Sequence, residues 1–88
     1  MGWNSIIKPD NIDWRNTILS DVNDGSEVYF VHSFYVKPED EKYILAKTIY
    51  GGQEFCSVIR KGNVYGTQFH PEKSGSAGMA IIKYFSDL

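Results

Sequence analysis

The sequence predicts an α/β unit that is mostly strand, with about four strands and a single C-terminal helix. Two observations carry that reading. Runs rich in β-branched and aromatic residues follow one another at 27–36 ("EVYFVHSFYV"), 43–50 ("YILAKTIY"), 53–60 ("QEFCSVIR") and 64–69 ("VYGTQF"), a composition that favours strands. The closing stretch, "GSAGMAIIKYFSDL" at 75–88, instead repeats its apolar residues at helical spacing.

Taken in order, residues 1–26 are punctuated by Gly2, Asn4, Pro9, Asp10, Asn11 and the run "DVNDGS". Trp3, Ile6, Ile7, Trp14, Ile18 and Leu19 are spread between these breakers. This predicts a packed loop with one helical turn at 14–20 and a turn at Asp24-Gly25. In 27–36, alternation sends Val28, Phe30, His32 and Phe34 one way and Tyr29, Val31, Ser33 and Tyr35 the other. Both sets are mostly apolar, so that strand is expected to be covered on both faces. "KPEDEK" at 37–42 is a polar loop. Gly51-Gly52 is a hairpin turn between the second and third strands, and Lys61-Gly62-Asn63 is a tight turn before the last strand. In the helix, Met79, Ile82, Phe85 and Ile81 supply the predicted apolar stripe, and Ser74 or Ser76 is placed to cap its start. One short helix cannot cover both faces of a four-stranded sheet. The pattern therefore calls for cover from a partner chain or from the rest of a larger domain.

Length and charge narrow the function. Eighty-eight residues make one small domain at most, and 42% hydrophobic with 15% aromatic residues is globular composition. A formal charge of −2, with no block of like charge, gives no footprint for nucleic acid. Cys56 is the single cysteine, so an internal disulfide and a cysteine-based zinc site are both excluded. The opening "MGWNSIIKPDNIDW" lacks the basic flank and apolar run of a signal peptide. No apolar stretch approaches the roughly 20 residues that span a bilayer. The expectation is a cytoplasmic protein that binds neither nucleic acid nor membrane.

The chemistry concentrates in "GTQFHPEKSG", residues 66–75. Pro71 pushes His70 into extended conformation, and residues two apart on an extended chain project to one side. The His70 imidazole and the Glu72 carboxylate are therefore expected to pair. A carboxylate so placed orients the ring and stabilises the imidazolium, which is the base-and-orienter part of a nucleophilic site. The plain alternative is a strand-ending histidine bonded to backbone, with a solvated glutamate. Cys56 reads as a small buried hydrophobe within a regular strand. Reactive thiols prefer helix N-termini or electropositive turns, and no Gly-x-Cys-x-Gly or Gly-x-Ser-x-Gly elbow occurs in the 88 residues. His32 reads as a satisfied core histidine. Lys73 stands where it opposes the dipole of the coming helix, and Trp3 is either a packing plug or an interface anchor.

Several segments in one order, "MGWN" at 1–4, "VYFVHSF" at 28–34, "YGGQEF" at 50–55, "KGNVYGTQFHPEKSG" at 61–75 and the closing G-x-x-I-I-x-x-F at 78–85, resemble the C-terminal part of the class I glutamine amidotransferases. Within that family they are most similar to the glutaminase subunits of imidazole glycerol phosphate synthase. The resemblance is weakest over 5–26 and 36–48. It implies that residues 1–88 are part of a glutaminase domain whose sheet is completed by an N-terminal half. It implies a Cys-His-Glu triad in which His70 is the general base and Glu72 its orienter. The nucleophile would lie in an elbow ahead of this segment, and Met1 would be an ordinary internal residue.

The same resemblance implies that Ser33 and Phe34 lie near the α-carboxylate of bound glutamine, with Phe34 replacing the more usual tyrosine. It implies that Trp3, Tyr29 and Lys73 face a synthase (cyclase) subunit in a heterodimer, around the passage for ammonia. No cofactor is expected, and no metal, since His32, Cys56, His70 and Glu72 have no spacing typical of zinc. The isolated chain is expected to be inactive, and to expose apolar surface. Two other readings share the pattern: an amidotransferase half serving another acceptor, such as a surface sugar, and a non-catalytic remnant or binding module of the same fold.

Overall fold

A computed structural model describes residues 2–30 and 40–87. Among them are five strands and one α-helix, in the order β1 (Gly2–Ser5), β2 (Glu27–Phe30), β3 (Ile44–Tyr50), β4 (Gln53–Lys61), β5 (Val64–Thr67) and α1 (Gly75–Ser86). Short 3-10 turns span Glu41–Tyr43 and Pro71–Lys73. β3, β4 and β5 form an antiparallel meander, and β1 pairs antiparallel with β2 as a separate ribbon.

The meander follows local chemistry. Gly51 and Gly52 both take positive φ, 59° and 79°, as the two central residues of a tight hairpin require. The turn at Gly62 and Asn63 returns the chain so that Lys61 opposes Val64. The ribbon does not follow local chemistry. Residues 1–26 do not all form a loop: Gly2–Ser5 is a strand, held because Trp3 falls opposite Tyr29 and Asn4 opposite Val28. No helical turn forms over 14–20. Successive turns do, with Thr17 N–H donating to Trp14 O and Ser20 N–H to Thr17 O. The Thr17 hydroxyl also donates to Trp14 O at 2.6 Å and accepts from Leu19 N–H at 3.1 Å. A side chain that bonds nearby backbone in this way competes with helix.

Among the described residues, backbone hydrogen bonds tie the two sheets at two places. Ile7 and Lys47 exchange both backbone hydrogen bonds, at 2.7 and 2.9 Å, which ties the chain after β1 to β3. The chain leaving β5 makes the second tie. Gln68 N–H still donates to Ser57 O on β4, but His70 N–H donates to Tyr29 O on β2. The strand predicted over 64–69 thus ends at Thr67 because the chain crosses from one sheet to the other. Phe69, between those bonds, is buried edge-on against Phe30, whose other neighbour is Phe55; the ring centroids are 5.7 and 5.6 Å apart. These three rings, with Ile6, Leu19, Val28 and Val58, are at the centre of the core. Trp14 seals one side and donates its indole N–H to Leu45 O at 2.7 Å.

The helix corrects the predicted stripe. Ile81 is buried, but Met79, Ile82 and Phe85 are exposed, at 64%, 39% and 55%. The inward face is made instead by Ala77, Gly78, Ala80, Ile81 and Tyr84. Small residues let the helix backbone come close. A Cβ on Gly78 would overlap the carbonyl oxygen of Pro71 and stand 2.9 Å from the Ser74 Cβ. The predicted cap is also corrected: Ser74 occupies the cap position, but no side chain caps α1. No helix among the described residues is long and apolar enough to cross a membrane.

Candidate active site

His70 stands where the chain has left the meander and is bonded to β2. Its backbone is extended, φ −99° and ψ 101°, as its place before Pro71 dictates. Pro71 then opens the 3-10 turn that carries Glu72 and Lys73. The expected pairing is formed: His70 Nδ1 and Glu72 Oε1 are 2.7 Å apart. Both side chains are partly exposed. The Glu72 carboxyl is held below the ordinary carboxylate range, first by its own backbone N–H and second by the His70 ring. An ionised carboxylate only accepts, so Nδ1–H is the donor. In the neutral ring that assigns the lone pair to Nε2, the arrangement a general base needs.

Trp3 and Tyr29 flank this corner. Opposite one another on β1 and β2, they meet edge to face, with centroids 5.6 Å apart and planes at 66°. Trp3 is half exposed and Tyr29 is partly buried. The Tyr29 carbonyl is the one that accepts from His70 N–H, so the aromatic pair and the histidine are joined through backbone. Lys73 is exposed on the same short turn as Glu72. Trp3, Tyr29, His70, Glu72 and Lys73 thus gather at one corner. Ser33 and Phe34, together with His32, lie outside the described residues.

Cys56 is not part of the corner. It is buried within β4 opposite Lys47, and its thiol lies 3.4 Å from Val58 O. Burial pushes the thiol up to about 11, the opposite of what a nucleophile requires. The residue that sequence reasoning misses is Ser74. Its position suggests a helix cap, whereas its hydroxyl donates to His70 O at 2.6 Å and accepts from Tyr29 N–H at 2.9 Å. No local signal marks the second bond, because Tyr29 is 45 residues away in sequence.

A carboxylate-oriented imidazole between a strand and a helix has the chemistry to accept and return a proton. The chain belongs to the glutamine amidotransferase class-I family, whose model matches residues 1–87. It is 48% identical over its whole length to an imidazole glycerol phosphate synthase subunit HisH 1 of Legionella pneumophila strain Lens, covering 42% of that protein. It is 48% identical over 98% of its length to the HisH subunit of Geobacter metallireducens, covering 39% of it. With the HisH subunit of Chlorobaculum tepidum the identity is 41%, over all of this chain and 42% of the relative. The chain thus spans about two-fifths of the length of the curated relatives it matches.

Proposed function

We propose that this chain carries the base and orienter of a glutaminase, the activity that supplies ammonia to imidazole glycerol phosphate synthase in histidine biosynthesis. The observation that carries this reading is the 2.7 Å approach of His70 Nδ1 to Glu72 Oε1, at the end of a strand in a member of the amidotransferase family. The names of its relatives support the pathway.

In this reading residues 1–88 are the C-terminal part of one glutaminase domain, working in the cytoplasm. A cysteine thiolate outside these residues attacks the side-chain amide of glutamine. His70 Nε2 takes the thiol proton and passes it to the leaving ammonia, while Glu72 holds the ring and stabilises the imidazolium. Water then hydrolyses the γ-glutamyl thioester to glutamate, with the same imidazole as base. Cys56 is no substitute for the nucleophile, being buried and held as the thiol. Ser33 and Phe34 contribute to glutamine binding. Trp3, Tyr29 and Lys73 form part of the contact with the cyclase subunit of a heterodimer. The outward Met79, Ile82 and Phe85 are covered in the complete domain.

The test is a chimera in which residues 1–88 replace the matching segment of the Legionella relative, assayed for glutamate release with its cyclase. The chimera should hydrolyse glutamine, and His70→Asn should lower kcat by about 10²–10⁴-fold. The 88-residue chain alone should release no glutamate. A His70→Asn chimera as active as the parent would remove the proposed role.

A further inference from the structure

The hydroxyl of Ser74 occupies an unusual place. The residue is 1% exposed and immediately precedes α1, where a serine oxygen ordinarily accepts from a helix N–H. Here it makes no such bond. His70 N–H donates directly to Tyr29 O at 3.0 Å. In the return direction the serine hydroxyl lies between the same two residues: Tyr29 N–H donates to Ser74 Oγ at 2.9 Å, and Oγ–H donates to His70 O at 2.6 Å. Further bonds close the corner. Lys73 N–H also donates to His70 O, Ser74 N–H to Pro71 O, and Gly78 N–H to Ser74 O. Gly78 leaves room for this, since a Cβ there would meet Pro71 and Ser74.

We propose that Ser74 is a positioning residue for the histidine–glutamate pair: its hydroxyl, inserted between Tyr29 N–H and His70 C=O, fixes the main chain from which the imidazole reaches Glu72. The hydroxyl accepts one bond and donates the other, so it has one orientation. The His70 carbonyl is held from two sides, by Oγ–H and by Lys73 N–H. Removing the hydroxyl breaks both the bond from Tyr29 N–H and the bond to His70 O. The segment 70–74 then shifts to recover them, and displacements of about 1 Å are enough to spoil a reacting geometry. The proposal rests on the functional reading above only for the use to which the pair is put; the clasp itself is read without glutamine.

The test is nitrogen NMR of the histidine rings in the 88-residue chain, which reports the nitrogen carrying the proton. In the parent, the neutral His70 ring should be the Nδ1–H tautomer. Ser74→Ala should change the tautomer ratio at least several-fold toward an even mixture. Val58→Ala, a core truncation on β4 where Val58 pairs with Ala46 and Thr67, should leave the ratio as in the parent. A Ser74→Ala ratio equal to the parent's, or an equal shift in Val58→Ala, overturns the proposal. Should Ser74→Ala not fold, amide exchange in the parent decides: the Tyr29 N–H should be as protected as core amides, and an unprotected one overturns the clasp. Failure of the functional reading is distinct, because it shows as an active His70→Asn chimera whatever the tautomer ratio.

Discussion

Cys56 and His70 both carry chemistry of the kind catalysis uses, and the chain treats them in opposite ways. Cys56 lies within a nine-residue strand, is closed over by the core, and is held as the neutral thiol by burial. His70 lies where a strand has just ended, is partly exposed, and has a carboxylate at hydrogen-bond distance. Residue type alone does not separate them. What separates them is where backbone hydrogen bonding is handed over. Within the meander each strand satisfies its neighbour, and side chains have only packing to do. At residues 68–78 the chain's hydrogen bonds pass from β4 to β2 and then into α1, and a serine hydroxyl bridges Tyr29 and His70.

Two predictions press on that contrast. The larger effect belongs to the corner. Gly78→Ala places a methyl group against the Pro71 carbonyl, and the helix must move away from the turn that carries Glu72. The cost should be about 1–3 kcal/mol, read from urea unfolding. A neutral Gly78→Ala would show that the corner is looser than its close approaches imply. The smaller effect belongs to Cys56. Its thiolate should be about 10²-fold scarcer at neutral pH than that of an ordinary thiol. A disulfide reagent should modify Cys56 slowly in the native chain, faster as the pH rises toward 11, and rapidly in denaturant. Fast native labelling at neutral pH would erase the contrast.

Much of this is legible in the sequence where the causes are local. The meander is visible because its strands are bounded by Gly51-Gly52 and Gly62-Asn63. The His70–Glu72 pairing is visible because a proline fixes the spacing between two side chains. The parts that are not legible depend on distant partners. Gly2–Ser5 carries Gly and Asn, which disfavour strands, and becomes a strand by pairing with β2. The helix stripe escapes prediction because size, rather than hydropathy, chooses the inward face. Ala77 and Gly78 permit close approach, and the bulkier Met79 and Phe85 are left outside. Ser74 resembles a cap because its diverted bond goes to Tyr29 on another strand.

The central claim is that His70 and Glu72 work as one unit, and Glu72→Gln in the chimera tests it most directly. The substitution keeps the shape of the side chain and removes the charge that orients the ring. Turnover of glutamine should fall by about 10²-fold or more, while KM for glutamine stays near that of the parent. A Glu72→Gln chimera that turns over glutamine with the parent's kcat would contradict the account.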